Sequence, residues 1–361
     1  MAKNKNMHKA KKAKNDEFYT RLPDIERELF QYRKHFKGKK VFLNCDDPES
    51  SMFWMYFKLN FNFFGLEKLV ATHYEVSSPS YKLEIFKTPA NDKKRIDFDT
   101  IKTPLKQNGD FRSPEAIEIL EDCDVVVTNP PFSLFREYIA QLLEHDKKFV
   151  IVGNPSAITY KEVFKYIKAG RVWLGVKSMG ADMLFSVSAE FASELQETKK
   201  EGSGYKIVDG VVLGRAQAIW FTNLAHGRRN EELFLYKSYK GNEVDYPKYD
   251  NYDAINVDKV KHIPKDYFGA MGVPITFLGK FNPKQFEVNA LGIIGSISFS
   301  SNKKMEILDK YGESTGRFTF NAKGTLYRPY NPKKDKVPSF KDYATSELYS
   351  SIYARIIIKR K

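Results

Sequence analysis

One segment of the sequence ends a strand-like apolar run with an amide, two prolines and an aromatic ring. The run Val125–Val127 is typical of a parallel strand buried on both faces. The strand must end at Asn129, because Pro130 and Pro131 cannot donate ladder hydrogen bonds and fix their own φ angles. The side-chain carbonyl of Asn129 and the backbone carbonyl of Pro130 can accept hydrogen bonds from one amino group, and Phe132 offers a flat face beside them. This segment therefore predicts a ligand site rather than a plain proline turn.

Strands and helices alternate around this segment, from residue 40 to residue 155. Val41–Asn44 and Leu69–Thr72 are apolar runs separated by a helical pattern, which predicts a βαβ unit with parallel strands. Helical spacing places Met52, Tyr56, Leu59 and Phe63 on one face of the helix between them. After the two prolines, a further helical pattern leads to the strand Phe149–Val152, with apolar positions at Leu134, Phe135, Tyr138, Ile139, Leu142 and Leu143. This alternation predicts an α/β fold with a doubly wound sheet. The carboxyl ends of its parallel strands should share one edge, where such sheets bind ligands.

Polar and acidic side chains follow the predicted strand ends. They are Asn44, Asp46 and Asp47 after the first strand, Glu75 after the second, and Asp110 with Phe111 before the next helix, which is predicted to begin with Ser113 as N-cap and Pro114 at the first helical position. A carboxylate at such a position can bind a polar ligand, and it can also cap the N-terminus of a helix. We favour ligand binding for Asp46 and Asp110, whereas both interpretations stand for Asp47 and Glu75.

The pattern changes from parallel to antiparallel after about residue 170. Asp209-Gly210 predicts the turn of a hairpin, and Ala216–Asn223 predicts a strand. Residues 235–345 are rich in Tyr, Lys, Asn, Gly and Pro, which predicts short strands joined by loops. Ile352–Ile358 predicts the last strand.

The composition limits the partners and the location of the protein. The formal net charge is +14, an excess that favours nucleic acid as a partner. No apolar run approaches the roughly 20 residues of a membrane helix, and no apolar stretch follows the Lys-rich first residues as in a secretory signal. Cys45 and Cys123 are expected to be reduced thiols, and with six histidines they show no zinc spacing. We therefore expect an intracellular, cytoplasmic protein of prokaryotic or phage type, without a metal and without a membrane partner.

Asn129-Pro130-Pro131-Phe132 resembles the motif of S-adenosylmethionine-dependent amino-methyltransferases. The chain is similar to one branch of these enzymes, the EcoRI-type adenine-specific DNA methyltransferases. The similarity lies in an ordered set of segments across nearly the whole chain: Lys14–Thr20, Asn44–Pro48, Trp220–Leu224, Gly272–Leu278 and Tyr353–Lys361. Methyltransferases in general have a glycine-rich loop after the first strand, and this chain has no glycine between Asn44 and Ser51, a feature that the EcoRI-type enzymes share.

This resemblance implies a Rossmann-like methyltransferase sheet, S-adenosyl-L-methionine as the cofactor, and adenine N6 of a flipped-out base in double-stranded DNA as the acceptor. It also implies three parts: a basic flexible arm at 1–14, a catalytic domain at 15–234 with an insertion at 77–109, and a loop-rich target-recognition region at 235–361 with a returning C-terminal strand. A role in restriction–modification follows from the same resemblance. The sequence leaves open whether a partner nuclease exists and which oligomeric state the protein adopts.

The resemblance assigns roles to individual residues. The catalytic residues would be Asn129, Pro130, Pro131 and Phe132. The cofactor would contact Tyr19, Thr20, Asn44, Asp46, Asp47, Glu75, Asp110, Phe111 and Asn129. In this assignment Asp46 holds the methionine ammonium, Glu75 the ribose hydroxyls and Asp110 the adenine amine.

A base inside a duplex must leave the stack to reach such a site. Trp220 and Phe221 are candidates for a second aromatic wall around it, although only one of them can face a pocket because neighbours on a strand alternate. Packing in the core is the equal alternative for both rings. Arg228 and Arg229 are candidates for contacts to DNA, with solvated surface as their alternative.

Other functions use parts of the same pattern. The same chemistry can act on cytosine N4, on an RNA base or on a protein glutamine, and the positive charge argues against a protein acceptor. A DNA-binding relative without catalysis is an alternative of a different class, which the intact motif at 129–132 disfavours. A dinucleotide-dependent oxidoreductase would need a glycine fingerprint after the first strand, and the sequence has none there.

Overall fold

The computed structural model describes residues 18–45, 47–75, 80–87, 99–177 and 179–361. The predicted basic arm, Asp46 and a large part of the predicted insertion lie outside these residues.

The chain divides into two compact units. The first comprises the residues up to 163 together with 171–226, and the second comprises 164–170 and 227–361. The main segment of the second unit begins after His226, eight residues before the predicted domain boundary at residue 234. The assignment of catalysis and target recognition to the two parts stays a prediction. No helix in the described part of the chain is long and apolar enough to cross a membrane.

Twelve strands are described in the first unit. They are β1 Tyr19–Thr20, β2 Lys40–Leu43, β3 Lys68–Thr72, β4 Tyr81–Phe86, β5 Ile101–Pro104, β6 Val125–Thr128, β7 Lys148–Gly153, β8 Trp173–Leu174, β9 Met183–Ser186, β10 Tyr205–Val208, β11 Val211–Ala216 and β12 Ile219–Thr222.

The α-helices of the described chain range from one turn to almost three turns. They are α1 Leu22–Leu29, α2 Arg33–Phe36, α3 Met52–Leu59, α4 Phe61–Phe64, α5 Pro114–Asp122, α6 Phe135–Glu144, α7 Lys161–Lys168, α8 Ala189–Thr198 and, in the second unit, α9 Asn321–Gly324. Short 3₁₀ helices join or precede several of them, at Phe30–Tyr32, Phe132–Leu134 and Pro155–Thr159.

A mixed sheet of eight strands forms the centre of the first unit, in the order β5-β4-β3-β2-β6-β7-β12-β8. The predicted parallel strands are confirmed, because β2 pairs in parallel with β3 and β6, and β6 pairs in parallel with β7. Strands β4, β5, β12 and β8 extend this parallel centre with antiparallel pairings on both sides. The fold is therefore mixed α/β. The carboxyl ends of β2, β3, β6 and β7 share one edge, which we call the carboxyl edge.

The helix boundaries follow local signals that the sequence contains. The Ser113 hydroxyl accepts from Ala116 N at 3.2 Å, with Pro114 in the first turn of α5, as predicted. Gly65 ends α4 in the left-handed conformation with φ of 63°. These caps set where the chain enters and leaves the central sheet.

The helix α3 buries a different face from the one that its periodicity predicts. Met52, Tyr56, Leu59 and Phe63 were expected on one buried face, but Leu59 and Phe63 are exposed. Phe53, Trp54 and Phe57 are buried beside Tyr56 in the main apolar core. The prediction was wrong because this segment is apolar almost all round, so helical spacing alone could not select the packed face.

A second sheet in this unit has the order β1-β9-β11-β10 and is antiparallel throughout. The predicted hairpin is confirmed between β10 and β11, where Asp209 and Gly210 have φ of 52° and 76°. Two positive φ angles match the tight turn that joins right-twisted strands. The strand predicted at 216–223 is divided, because β11 ends at Ala216 and β12 begins at Ile219 in the other sheet.

Nine strands and two further antiparallel-rich sheets make up the second unit. The strands are β13 Ile255–Asn256, β14 Met271–Pro274, β15 Phe286–Leu291, β16 Lys304–Leu308, β17 Ser314–Phe320, β18 Leu326–Pro329, β19 Phe340–Asp342, β20 Leu348–Ile352 and β21 Arg355–Arg360. One sheet has the order β13-β14-β21-β15 and the other β17-β16-β19-β20-β18. The last predicted strand, Ile352–Ile358, is interrupted at Ala354, whose φ is 48°, so β20 and β21 belong to different sheets.

Candidate active site

Asn129 lies directly after β6, at the carboxyl edge. Its side-chain Nδ2 donates to the backbone carbonyl of Phe18 at 2.6 Å. A carbonyl oxygen can only accept, so this contact fixes which amide atom faces Phe18. Asn129 Oδ1 consequently points elsewhere, and it is buried without a hydrogen-bond donor in the described residues. An unpaired buried acceptor costs about 1–3 kcal/mol, a cost that a bound donor would remove.

The residues after Asn129 form a stiff turn into a helix. Pro130 is buried and Pro131 is exposed. The carbonyl of Pro131 accepts from Leu134 N at 3.0 Å, which starts the 3₁₀ turn before α6. Phe132 is half-buried and packs on the main core, so one part of its ring stays accessible.

The Phe18 carbonyl is held by the antiparallel sheet. In that sheet, Tyr19 and Thr20 of β1 pair with β9. The Phe18 ring contacts the edges of Phe185 and Phe191 with centroids 5.3 and 5.6 Å away. Strand β1 thus brings the predicted cofactor residues Tyr19 and Thr20 next to the residue that anchors Asn129.

Asn44 follows β2 and is tied to the helix after the proline turn. Its Oδ1 accepts from the hydroxyl of Tyr138 on α6 and from Cys45 Sγ at 3.6 Å. The ring of Tyr138 also meets Phe111 edge-on, with centroids 5.0 Å apart. Phe111 is buried in this contact. Tyr138 therefore joins two of the predicted cofactor loops, those containing Asn44 and Phe111.

Asp47 stabilises a local turn. Its carboxylate accepts from Glu49 N at 3.1 Å, from Ser50 Oγ at 3.2 Å and from Tyr81 Oη at 3.2 Å. Burial and this neighbouring carboxylate raise the pKa of Tyr81. These contacts stabilise the turn before α3, whose N-cap is Ser51 rather than Asp47, and the contact of Asp47 with a cofactor stays a prediction. Asp46, beside it, lies outside the described residues.

The loops after β3 and before α5 are joined to each other. Glu75 N donates to Asn108 O at 3.0 Å. Gly109 packs against the His73 carbonyl so closely that a Cβ at position 109 would collide with it. These contacts join the loop that contains Glu75 to the loop that precedes Asp110.

The Asp110 carboxylate is ionised and paired. Arg112 binds it through Nε at 2.9 Å and through Nη2 at 2.8 Å. These hydrogen bonds from Arg112 lower the pKa of Asp110 below its ordinary value, against an opposing effect of burial. Any further donor at Asp110 would have to share the carboxylate with this guanidinium.

The two aromatic residues predicted for a base-facing wall lie in the core. Trp220 and Phe221 are fully buried on β12. Trp220 packs edge-on against Phe53 at 6.0 Å, and Phe221 packs against Phe135 at 4.9 Å. Core packing, the alternative to a base contact, is what the structure gives for both rings. The reason is that β12 lies between β7 and β8 in the sheet, while Phe53 of α3 covers Trp220 and Phe135 of α6 covers Phe221.

Arg228 and Arg229 belong to the second unit, in the 3₁₀ helix Gly227–Asn230. Both are half-buried, and burial lowers the pKa of Arg229. Arg228 lines a cleft together with Glu231, Glu232, Leu233, Gly279 and Lys280. Their contact with DNA stays a prediction.

Sequence reasoning missed two parts of this site. Phe18 contributes a backbone carbonyl, which no residue type signals. Tyr138 was assigned to the apolar face of α6, and this assignment overlooked its hydroxyl. A tyrosine in an apolar stripe is a usable signal, because a buried hydroxyl needs a partner.

The mixed α/β sheet and the polar ends of its parallel strands place the protein among the α/β enzymes. The family model described as "Adenine-specific methyltransferase EcoRI" matches residues 6–361. The chain belongs to this family and is a DNA adenine methyltransferase.

Individual relatives agree with the family. The chain is 48% identical to the Type II methyltransferase M.EcoRI of Escherichia coli over 297 residues, which cover 80% of this chain and 89% of the relative. It is 44% identical to the Type II methyltransferase M.MpnI of Mycoplasma pneumoniae, over 78% of this chain and 84% of the relative. It is 41% identical to the Type II methyltransferase M.MgeORF184P of Mycoplasma genitalium, with the same coverage of both chains. No solved structure gives a significant match to the chain.

Proposed function

We propose that the protein moves the methyl group of S-adenosyl-L-methionine to N6 of an adenine flipped out of double-stranded DNA. One observation carries this proposal. Asn129 Oδ1 is a buried acceptor whose direction is fixed by the Nδ2 contact to Phe18, and the described residues offer it no donor. An exocyclic amine of a nucleobase is a donor of the right kind.

Asn129 and Pro130 would activate the acceptor amine. The lone pair of an exocyclic amine is delocalised into the ring, which makes the nitrogen a poor nucleophile. Two hydrogen bonds, to Asn129 Oδ1 and to the Pro130 carbonyl, draw the nitrogen toward tetrahedral geometry and localise that lone pair. The prolines hold both acceptors before the base arrives, so little reorganisation is needed at reaction. The extra amine proton can leave after transfer.

The flipped base also needs a surface to stack on. Extrusion costs roughly a few kcal/mol, and stacking recovers part of it. Phe132 is half-buried on the core beside Asn129 and would provide this face. Because Trp220 and Phe221 are enclosed in the core, we do not assign them the second wall.

The residues at the carboxyl edge fit a polar cofactor. Thr20 Oγ1 and Thr128 Oγ1 are buried without a hydrogen-bond partner in the part of the chain that the structure describes, as is Thr72 Oγ1 at the end of β3. Such hydroxyls suit a ligand rich in amine, carboxylate and ribose groups. When bound, S-adenosylmethionine supplies an electrophilic sulfonium methyl group.

We assign the cofactor contacts from the loops that these strand ends carry. Tyr19, Thr20 and Asp46 would hold the methionine end, Glu75 the ribose, and Asp110 with Phe111 the adenine ring. Asn44 would support the site through Tyr138. Asp47 would act through the turn before α3. In this proposal the eight-stranded sheet is a doubly wound Rossmann-like methyltransferase sheet, supported by its parallel centre and by the helices between β2, β3, β6 and β7.

The second unit would provide target recognition. Its loop-rich sheets span most of the predicted region 235–361, and the chain as a whole carries the charge excess that DNA binding favours. Residues 1–14 would add phosphate contacts.

The reaction product tests the proposed function directly. DNA incubated with the protein and S-adenosylmethionine is digested to nucleosides, and we expect N6-methyladenine as the methylated nucleoside. N4-methylcytosine, or the absence of any methylated nucleoside, would contradict the proposal. Long-read sequencing of DNA from cells that express the protein would then give the target sequence.

A smaller change tests how Phe18 positions the catalytic amide. A Cβ at Gly214 would lie 2.7 Å from Cε1 of Phe18, so Gly214→Ala should push that ring out of its packed position and thereby disturb the backbone of Phe18. We expect kcat to fall about tenfold because Asn129 Oδ1 loses its fixed direction. Single-turnover methyl transfer measures the effect. Gly227→Ala is the control, since nothing lies within 4 Å of its Cβ position. Equal kcat values for both variants would show that Phe18 does not orient Asn129.

A further inference from the structure

The five-stranded sheet of the second unit has one packed face and one open face. Side chains alternate along each strand, so residues two apart share a face. Met305, Phe340 and Tyr349 lie on the packed face, in a buried cluster with Tyr327 and Ala322. Lys304, Glu306, Phe318, Phe320, Lys341 and Leu348 lie on the other face, because they pair directly across β16, β17, β19 and β20.

This open face carries exposed aromatic rings. Phe318 is 46% exposed, Phe320 is 56% exposed, and Tyr343, which follows β19, is 63% exposed. Phe318 and Tyr343 meet edge-on with centroids 5.5 Å apart. Rings that are grouped on one side of a sheet without a covering element mark a surface for a partner.

Lysines lie between these rings. The ammonium of Lys304 lies 4.2 Å from the centre of the Tyr343 ring and 4.8 Å from the centre of the Phe318 ring. Among the described residues, no carboxylate forms an ion pair with Lys304 or Lys341, although Glu306 lies directly opposite Lys341 across the β16–β19 pair. Lys303, on the packed side, contrasts with them. It is paired with Asp250 and Asp342, and its pKa is raised by the hydrogen bonds to Tyr349 and Asp250 against an opposing effect of burial.

We propose that the open face around Lys304, Phe318 and Tyr343 binds double-stranded DNA. The inference rests on the proposed function and names the surface that would contact its substrate. Lysines that form no ion pair complement phosphates, and exposed rings pack on sugars and on thymine methyl groups in the groove. The hairpin of β16 and β17 is a two-stranded ribbon at the sheet edge, a shape that the major groove of DNA accepts. A second copy of the chain is a poorer occupant, because it would oppose lysine to lysine in a protein with a net charge of +14.

The test uses the full chain and a DNA duplex on which the wild-type protein has been shown to transfer methyl groups. The variants are Phe318→Ala with Tyr343→Ala, and separately Lys304→Gln. The control is Phe63→Ala. Phe63 is a 60% exposed phenylalanine on α4, and the chain after α4 enters β3 at its amino end, which is opposite the carboxyl edge. Fluorescence anisotropy gives the Kd for DNA between about 50 and 200 mM salt. Isothermal titration gives the Kd for S-adenosylmethionine, and thermal unfolding checks the fold.

We expect the double variant to bind DNA about tenfold more weakly at each salt concentration, because the apolar contacts of the two rings do not depend on counterion release. Lys304→Gln should reduce the slope of log Kd against log salt by about 1, as for one lost phosphate contact. The Kd for S-adenosylmethionine should not change in any variant, and Phe63→Ala should match the wild type.

Unchanged DNA affinity and unchanged salt slope in folded variants would overturn the inference while leaving the enzymatic function intact. A wild-type protein that methylates no DNA would instead refute the proposed function. Sedimentation adds the remaining outcome. If the wild type forms a dimer that the double variant abolishes without loss of DNA affinity, then the face binds a second copy and the inference is wrong.

Discussion

Replacing Asn129 with alanine should reduce methyl transfer by roughly 10²- to 10³-fold or more, the range observed when one preorganised hydrogen-bonding group is removed from an active site. The substitution deletes Oδ1, the acceptor for the target amine, and also Nδ2, which holds Phe18. Binding of S-adenosylmethionine should largely survive, because most of its assigned contacts come from other loops. Single-turnover transfer of a labelled methyl group and calorimetric titration of the cofactor measure the two quantities separately.

Asn154 provides the matched control for this experiment. It also precedes a proline at the end of a parallel strand, but its Oδ1 accepts from Ser156 N at 2.8 Å in a 3₁₀ cap. Asn154→Ala should cost about 1 kcal/mol of stability and leave transfer within a few-fold of the wild type. Full activity of Asn129→Ala would refute the mechanism, and equal losses in both variants would show that the effect is structural.

Gly109→Ala is expected to disrupt the cofactor loops. Gly109 has φ of 78°, and an added Cβ would collide with the His73 carbonyl and lie 2.8 Å from Ser80 Oγ. The backbone carbonyl cannot move without displacing the loop that carries Glu75. We expect the free energy of unfolding to fall by about 3 kcal/mol and the affinity for S-adenosylmethionine to fall at least about tenfold. Thermal unfolding and calorimetric titration report these changes.

Gly210→Ala is the control for Gly109→Ala, because it introduces the cost of a left-handed alanine without a collision. Gly210 has a similar φ of 76°, but nothing lies within 4 Å of its Cβ position in the hairpin turn. This variant should lose only about 1–2 kcal/mol, the cost of the left-handed conformation, and keep its cofactor affinity. If the two variants behave alike, the contact with His73 does not hold the loops together.

Local signals predicted much of the first unit from the sequence. The parallel pairing of β2 with β3, the cap at Ser113 and the hairpin turn at Asp209 each follow from a few neighbouring residues. The packed face of α3 was not predictable in this way, because several apolar faces compete and tertiary contacts choose among them. The pairing of β4 and β5 at the sheet edge was not predicted either, because the long polar segment between Phe86 and Ile101 is not a tight hairpin turn that would fix which strands pair.

The same distinction applies to the candidate site, in which some residues were predictable from a local signal and others depend on distant contacts. The strand end at Asn129 was predictable because prolines, a buried run and an amide occur within eight residues. Its partner Phe18 is 111 positions away in the chain and acts through its backbone. Trp220 and Phe221 have the residue types of a base-stacking wall, but residue type does not tell which strands will cover them.

The bond between Asn129 and Phe18 also bears on the order in which the chain becomes competent. Phe18 is seated by β9 and by the ring of Phe191, so its position requires segments that are synthesised long after the central strands. Contacts of such large sequence separation form late, because closing a long loop has an entropic cost. A nascent chain that has already assembled β2, β3 and β6 therefore carries the catalytic motif without its fixed orientation. Methylating activity should therefore appear only after the whole first unit has assembled. A refolding experiment that follows activity and strand formation together would show whether activity appears later than the strands.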